Sequence, residues 1–136
     1  MIQAIPVVLD TNVLVSSLWS ADGVPSKIVH LIPDGAIVPC YSDEIVYEYK
    51  TVLARPAFNF TPEQVNDLLC RYIKYGKFVS PTPSKIPLYD ETDRIFYDAA
   101  QEGDALLITG NIRHYPKEPF IMPPMYFYRY ILGRRD

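Results

Sequence analysis

Acidic residues in three separate parts of the sequence could bind a metal ion together. Asp10 follows the apolar residues 7–9, Glu48 lies in a segment with helical periodicity, and Asp93 opens another such segment. Magnesium prefers oxygen ligands, and a bound divalent metal lowers the pKa of water and neutralises charge on a phosphate oxygen. Without a metal, three neighbouring carboxylates would repel one another and some would take up protons. The three acids therefore indicate a metal site more readily than a general acid–base pair.

Each acid also has a simpler structural explanation. Asp90 and Asp93 stand at a predicted helix start, as does Glu44, and there a carboxylate caps the first turn or is stabilised by the helix dipole. Glu48 differs, because its neighbours on the same helix face are apolar, so it should point towards the boundary of the core. The metal site is favoured only if the fold brings acids from different elements together.

The alternation of apolar runs and helical patterns predicts an α/β domain. Strands are predicted at residues 6–9, 36–40, 77–80 and 105–109, and a fifth could cover 120–122. Helices are predicted at residues 12–19, 25–31, 43–54 and 62–75, from Asp90 or Thr92 to about Gly103, and at 126–132. Continuous apolar strands separated by helices are typical of a parallel sheet covered on both faces. The sequence therefore predicts one domain, residues 1–136, with three α/β/α layers around a central, mostly parallel sheet of four to five strands.

Polar residues collect beyond the ends of two of these strands. Asp10, Thr11 and Asn12 follow the first strand, and Thr109 and Asn111 end or follow the fourth. In open parallel sheets functional groups gather beyond the carboxyl ends of the strands, so one sheet would bring both groups to one edge. The hydroxyl and amide groups could contact a phosphate or hydrogen-bond the metal ligands. They are explained equally well as turn and capping residues.

Composition narrows the function classes. A net charge of −3 and a pI near 5.3 argue against a protein that coats nucleic acid with a basic face, although a bound metal reverses the local sign. No apolar run is long enough to span a membrane, and the N-terminal residues lack a signal-peptide pattern. Cys40 and Cys70 lack metal-binding spacing and are interpreted as two buried thiols. We therefore expect a cytoplasmic protein without membrane association.

Three blocks of the sequence resemble the PIN-domain ribonucleases. They are VVLDTNVLVSS from Val7, YSDEIVYEYKTVLARPAF from Tyr41 and DETDRIFYDAAQEGDALLITGNIRHYP from Asp90, in the family's order and at about its spacing. Within the family the chain is most similar to the subgroup described as toxin components of bacterial toxin–antitoxin pairs. The resemblance implies the α/β/α fold and hydrolysis of single-stranded RNA that depends on Mg²⁺ or Mn²⁺. It also implies an antitoxin protein as partner and a homodimer.

The same resemblance assigns roles to individual residues. By residue match, Asp10, Glu48 and Asp93 are the metal-binding and catalytic acids. Asn111 falls where many relatives carry a fourth acid, and its amide keeps an oxygen ligand but removes a negative charge. Beyond the resemblance, Arg113 and His114 follow the fourth strand and could contact an RNA backbone.

Other functions compete with metal-dependent RNA cleavage. A phosphoacceptor aspartate after the first strand, as in haloacid-dehalogenase-like phosphatases, needs a second Asp two positions later, where Asn12 stands. A receiver domain needs an acidic pair after the first strand and a lysine after the last strand, and neither is present. A catalytically weak domain that mainly binds a protein or RNA is the remaining alternative, and Asn111 makes it credible.

Overall fold

The computed structural model describes residues 3–135, apart from the side chain of Arg135. The strands in this range are β1 (Ile5–Leu9), β2 (Ile37–Tyr41), β3 (Lys77–Phe78), β4 (Leu106–Ile108) and β5 (Ile121–Met122). The helices are α1 (Thr11–Trp19), α2 (Val24–His30), α3 (Asp43–Leu53), α4 (Pro62–Tyr75), α5 (Arg94–Glu102) and α6 (Pro124–Arg135). Short 3-10 turns lie at Pro56–Phe58, Glu91–Asp93 and Ile112–His114.

The sheet is parallel throughout, with the strand order β3-β2-β1-β4-β5. Helices pack against it in the predicted three-layer α/β/α arrangement, and β5 confirms the fifth strand. The chain runs from β1 to β2 and β3 on one side and returns to β4 on the other, so the strand order reverses between β1 and β4. Ligands of open parallel sheets bind outside the carboxyl ends of the strands at such a reversal. Asp10 and Thr109, which directly follow these two strands, lie at that position.

Local sequence rules set the starts of two helices. The Ser42 side chain accepts a hydrogen bond from the Ile45 N–H at 3.2 Å, which caps α3. Thr61 and Gln64 form a reciprocal capping box at the start of α4, with Pro62 in the first turn. Each cap satisfies a backbone N–H that has no partner inside its helix. Both helices therefore begin where the sequence predicts.

Three elements differ from the sequence prediction by two or more residues, and one of them is α6, which covers Pro124–Arg135 rather than 126–132. The strand β3 covers Lys77–Phe78 rather than 77–80, and it is a short, exposed strand at the edge of the sheet, as edge strands commonly are. The helix α5 begins at Arg94, after a 3-10 turn, so Asp93 stands at its N-cap and not inside the helix. This turn aims the Asp93 side chain independently of the helix that follows.

The prediction of two buried thiols is wrong for Cys70. Cys40 is fully buried in β2, whereas Cys70 is exposed on α4, and both thiols are free. The buried face of α4 carries Leu68, Leu69 and Tyr72. At 3.6 residues per turn, residue 70 lies about 100° further round the helix than Leu69, which turns it towards the solvent.

One continuous group of buried apolar residues connects the sheet with its helices. The assignment of residues 1–136 to a single domain stays a prediction, and residues 1, 2 and 136 lie outside the described residues. Within residues 3–135, the structure contains no helix that combines the length and the apolar character of a membrane span.

Two buried tyrosines connect β1 and β2 where the backbone pairing of these strands ends. The Tyr49 hydroxyl donates to the Leu9 carbonyl, and the Tyr72 hydroxyl accepts from the Leu9 N–H at 3.3 Å. Tyr72 also donates to the Cys40 carbonyl at 3.0 Å, and the two hydroxyl oxygens lie 3.0 Å apart. Buried backbone groups without partners are costly, so these hydroxyls replace the missing ladder bonds directly before Asp10.

We predict that Tyr72→Phe lowers the free energy of unfolding by about 1–3 kcal/mol, because it leaves the Leu9 N–H and the Cys40 carbonyl buried without their partner. Urea denaturation measures the change. Tyr75→Phe is the matched control, because Tyr75 lies on the same helix with 41% of its surface exposed and should change stability by less than about 0.5 kcal/mol. Equal stability of both variants would contradict the role given to the Tyr72 hydroxyl.

Candidate metal and active site

Asp10 is a buried carboxylate held between β1 and β4. It caps α1 by accepting from the Thr11 N–H at 2.7 Å. Its other oxygen accepts from the Thr109 hydroxyl at 2.8 Å and from the Tyr115 hydroxyl at 3.0 Å. Only 5% of Asp10 is exposed, and this burial raises the pKa of its carboxyl, although the hydrogen bonds oppose the shift. The side chain has one orientation and its negative charge is poorly solvated.

Hydrogen bonds connect the loop after β4 to the start of α1. The Asn12 side-chain oxygen accepts from the Gly110 N–H at 2.8 Å, and the Thr109 hydroxyl oxygen accepts from the Asn111 N–H at 2.9 Å. A Cβ on Gly110 would lie 3.0 Å from the Asn12 side-chain oxygen, so a larger residue there would have to displace the Asn12 amide slightly. Asn12 and Thr109 therefore position Asp10, while the Asn111 side chain is exposed beside it.

The three acids singled out in the sequence line one open cavity of about 380 Å³. Asp10 comes from the end of β1, Glu48 from the middle of α3 and Asp93 from the turn before α5. Burial raises the pKa of Glu48, with the Arg55 charge opposing this and Asp10 adding to it. The fold thus brings together carboxylates that are up to 83 positions apart in the chain, counting from Asp10 to Asp93. Thr11, Asn12 and Asn111 line the same cavity.

Asp93 is the acid most affected by its neighbours. Burial, followed by the negative charges of Asp10 and Asp90, raises the pKa of Asp93 to about 6. Its Oδ2 atom is buried without a hydrogen-bond partner, and His114 Nδ1 lies 3.4 Å away, too far for a good hydrogen bond. Among the described residues, the ligand atoms of Asp90, Asp93 and His114 all lie within 4.8 Å of one another. In the described part of the chain, His114 is the nearest group that could give this oxygen a positive partner, and its presence opposes the rise in the Asp93 pKa.

These donors fit a divalent cation. Carboxylates are hard ligands suited to Mg²⁺ or Mn²⁺, and a cation would relieve both the repulsion between the acids and the unpartnered Asp93 oxygen. Asp10, Glu48 and Asp93 would hold it around the cavity. Asp90 accepts from the Thr92 N–H and hydroxyl at 3.0 and 2.8 Å, both through its Oδ1 atom, and its carboxylate could also reach an ion held near Asp93 and His114.

The predicted nucleic-acid contacts Arg113 and His114 lie in different surroundings. Arg113 is exposed in the 3-10 turn after β4. His114 is partly buried, contacts Asp93 and packs against the Tyr89 ring with the ring centroids 5.1 Å apart. Its position next to the acids favours a role in the metal site over contact with a distant backbone.

Sequence reasoning missed several residues of the site. Tyr115 bonds Asp10 across 105 positions, and no local pattern indicates that contact. Arg55, Trp19 and Phe58 also line the cavity. A usable signal existed for Trp19, since it is the single tryptophan of the chain and ends a helix that begins next to Asp10.

The raised pKa values make a prediction for the metal-free protein. Asp10, Glu48 and Asp93 hold protons more tightly in the folded state than in the unfolded state, so their contribution to stability is present at low pH and is lost as pH rises through the folded pKa. In chelator, the melting temperature should therefore fall between about pH 4 and pH 7, with Asp93 titrating near pH 6.

Melting curves across this pH range, with the chelator present throughout, test the effect. Asp93→Asn should reduce the decrease in melting temperature with rising pH, because the variant has no carboxyl to titrate at that position. Asp22→Asn, in the exposed loop between α1 and α2, should follow the wild-type curve. A wild-type melting temperature that rises steadily from pH 4 to pH 7 in chelator would contradict the assignment.

Comparison with known proteins identifies the family and supports the fold. The family model of the PIN domain matches residues 6–113. An uncharacterized protein of Methanocaldococcus jannaschii is 30% identical over 110 residues, which cover 79% of this chain and 71% of that protein. The crystal structure of VapBC2 from Rickettsia felis bound to a DNA fragment from their promoter is similar in fold, with a TM-score of 0.57 and 14% identity over 88% of this chain and 97% of that chain. The chain belongs to the PIN-domain family, whose members are generally nucleases.

Proposed function

We propose that this PIN domain is an endoribonuclease that hydrolyses phosphodiester bonds of single-stranded RNA with Mg²⁺ or Mn²⁺. The observation that supports the proposal most is the meeting of Asp10, Glu48 and Asp93 around one open cavity at the strand-order reversal. Raised carboxyl pKa values and an unpartnered Asp93 oxygen are expected where a cation belongs. Membership of a family of nucleases makes a phosphodiester the favoured substrate.

The residues that line the cavity would have different roles in the reaction. A bound Mg²⁺ or Mn²⁺ supplies a water of lowered pKa and neutralises charge on the phosphate. Asp10 offers a ligand fixed by three hydrogen bonds, and Asp93 offers the oxygen without a partner. Glu48 is partly buried with a raised pKa, so it orients the attacking water and accepts its proton. Thr11, Asn12 and Asn111 would face a phosphate in the cavity, while Thr109 holds Asp10 in place.

Asn111 sets how strongly the metal is held. Its amide oxygen adds a neutral ligand beside the acids, so the site carries one negative charge fewer than it would with an aspartate at this position. This favours a single tightly held ion. A catalytically weak domain that mainly binds its partner is the alternative, and a cleavage assay separates the two.

The partners follow from the same proposal. The solved relative from Rickettsia felis is described as a VapBC2 assembly on promoter DNA. By this likeness, the chain is the toxin of a toxin–antitoxin pair, acts in the cytoplasm, pairs with an antitoxin protein and forms a homodimer. Its substrate is cellular RNA in single-stranded form.

The first functional prediction concerns the three acids. Asp10→Asn, Glu48→Gln and Asp93→Asn should each slow Mn²⁺-dependent cleavage of a single-stranded oligoribonucleotide, by about 10²–10⁴-fold for the general base Glu48. Glu44→Gln is the matched control, because Glu44 lies one turn earlier on α3 and is exposed. Rates are measured on a gel with an end-labelled strand, and circular dichroism confirms folding of each variant. Wild-type cleavage by pure Asp93→Asn protein would refute the proposed site.

The second functional prediction concerns metal binding alone. A cation that binds only the folded state raises the free energy of unfolding by RT ln(1 + [L]/Kd), about 2.7 kcal/mol at 100 times Kd. Mn²⁺ should therefore raise the melting temperature of the wild type and of Glu44→Gln. The gain should be much smaller in Asp10→Asn and Asp93→Asn. Equal shifts in all four proteins would place the ion elsewhere.

A further inference from the structure

Three aromatic residues form a cluster next to the cavity that the acids line, and two of them, Trp19 and Phe58, line it as well. Trp19 ends α1, Phe58 lies in the 3-10 turn after α3, and Phe60 precedes α4. The Trp19 ring stands nearly perpendicular to Phe58 at a centroid distance of 5.2 Å, and Phe58 stacks on Phe60 at 5.6 Å. Trp19 nevertheless remains 63% exposed. The ring is thus held in position by its neighbours while most of its surface faces solvent.

The aromatic cluster opens into the same cavity as the acids. Trp19 and Phe58 line the cavity together with Asp10, Glu48 and Asp93. Val15 and Val52 line the same cavity. A ligand bound in this cavity can therefore contact both the acids and an aromatic surface.

Arg55 adds a positive charge at the rim of this cavity. It stands between α3 and the turn that carries Phe58, and it is exposed. Its charge acts on Glu48, but among the described residues it forms no ion pair within 4.0 Å. A guanidinium that no carboxylate engages can bind a phosphate, for which its fork of donors is well suited.

We propose that Trp19, supported by Phe58, is a stacking site for an unpaired nucleobase, and that Arg55 binds the phosphate next to the one that is cleaved. The inference rests on the proposed function, because it places the base beside the phosphodiester held at the acids. An anionic phosphate next to a planar base matches a cavity with a cation site, an unpaired arginine and an exposed indole. A base within a duplex is already stacked and paired, so this site selects single strands.

The single tryptophan makes the site directly observable. Trp19 is the only source of indole fluorescence in the chain, and stacking on a base quenches indole emission. The probe is a ten-nucleotide single-stranded oligoribonucleotide, added with Ca²⁺ in place of Mn²⁺ and checked on a gel for intact length. We expect saturable quenching by this strand and much weaker quenching by its duplex. One abasic position moved along the strand should abolish quenching at one or two places.

Variants separate stacking from a structural role. Trp19→Leu should weaken oligonucleotide binding, and raise KM, by about 5- to 100-fold, with kcat changed far less. Trp19→Phe should restore most of the affinity, and the penalty for the abasic position should disappear in Trp19→Leu. Tyr126→Leu is the matched control, because Tyr126 is 64% exposed on α6, and its binding should equal that of the wild type. Arg55→Gln should reduce the slope of log affinity against log salt by about 0.7, the value of one single-strand phosphate contact.

The outcomes distinguish this inference from the proposed function. Strand binding without quenching, or wild-type affinity of Trp19→Leu, overturns the stacking site even where the wild type cleaves RNA. In that case the aromatic cluster is left as a surface for a polypeptide. Base-dependent quenching without any cleavage in Mg²⁺ or Mn²⁺ supports the stacking site and refutes the nuclease. Loss of both signals refutes both.

Discussion

The burial of one carboxylate, Asp10, between the ends of β1 and β4 is the constraint on which the site depends. Taking a carboxylate out of water is unfavourable unless donors replace the solvent, and three donors do so here. Two of these donors, the Thr109 and Tyr115 hydroxyls, come from the part of the chain that follows β4. Holding Asp10 therefore also fixes the loop after β4. Burial raises the pKa of Glu48 and Asp93, and the negative charge of Asp10 adds to both shifts.

Tyr49 and Tyr72 hydrogen-bond the end of β1 on the side that faces β2. Leu9, the last residue of β1, gives its N–H to Tyr72 and its carbonyl to Tyr49. β4 holds the other edge of β1 through Leu9 and Asp10, but β2 no longer supplies backbone partners there, so the tyrosines satisfy the Leu9 groups that face β2. Asp10 is thus held through its backbone neighbour on one side and through its carboxylate on the other. Burial raises the pKa of both tyrosines, so their hydroxyls stay neutral donors.

The cavity combines two kinds of surface that favour different parts of one ligand. The carboxylates of Asp10, Glu48 and Asp93 repel one another, and a bound cation would remove this repulsion. The cation would then attract a phosphate. In the aromatic cluster, the Trp19 ring is largely exposed to water, and a planar apolar group could stack on it. A single-stranded nucleotide chain presents a phosphate and a base at neighbouring positions, whereas a metal ion alone would contact only the carboxylates. The net charge of −3 does not prevent such binding, because the local sign is set by the ion.

The sequence by itself determined most elements and the parallel sheet and singled out the three acids as candidates, whereas the tertiary structure decided how these acids come together. Apolar strands, the Ser42 cap and the Thr61 capping box depend on residues within one turn or strand, so local patterns predict them. The same holds for Asp10, which follows its strand directly. Other contacts join segments that are distant in the chain. Tyr115 contacts Asp10, and His114 approaches Asp93. Trp19 and Arg55 line the cavity together with the acids. Such contacts are fixed by how helices and loops pack over the sheet, and that packing sums many small interactions that no short stretch of sequence contains.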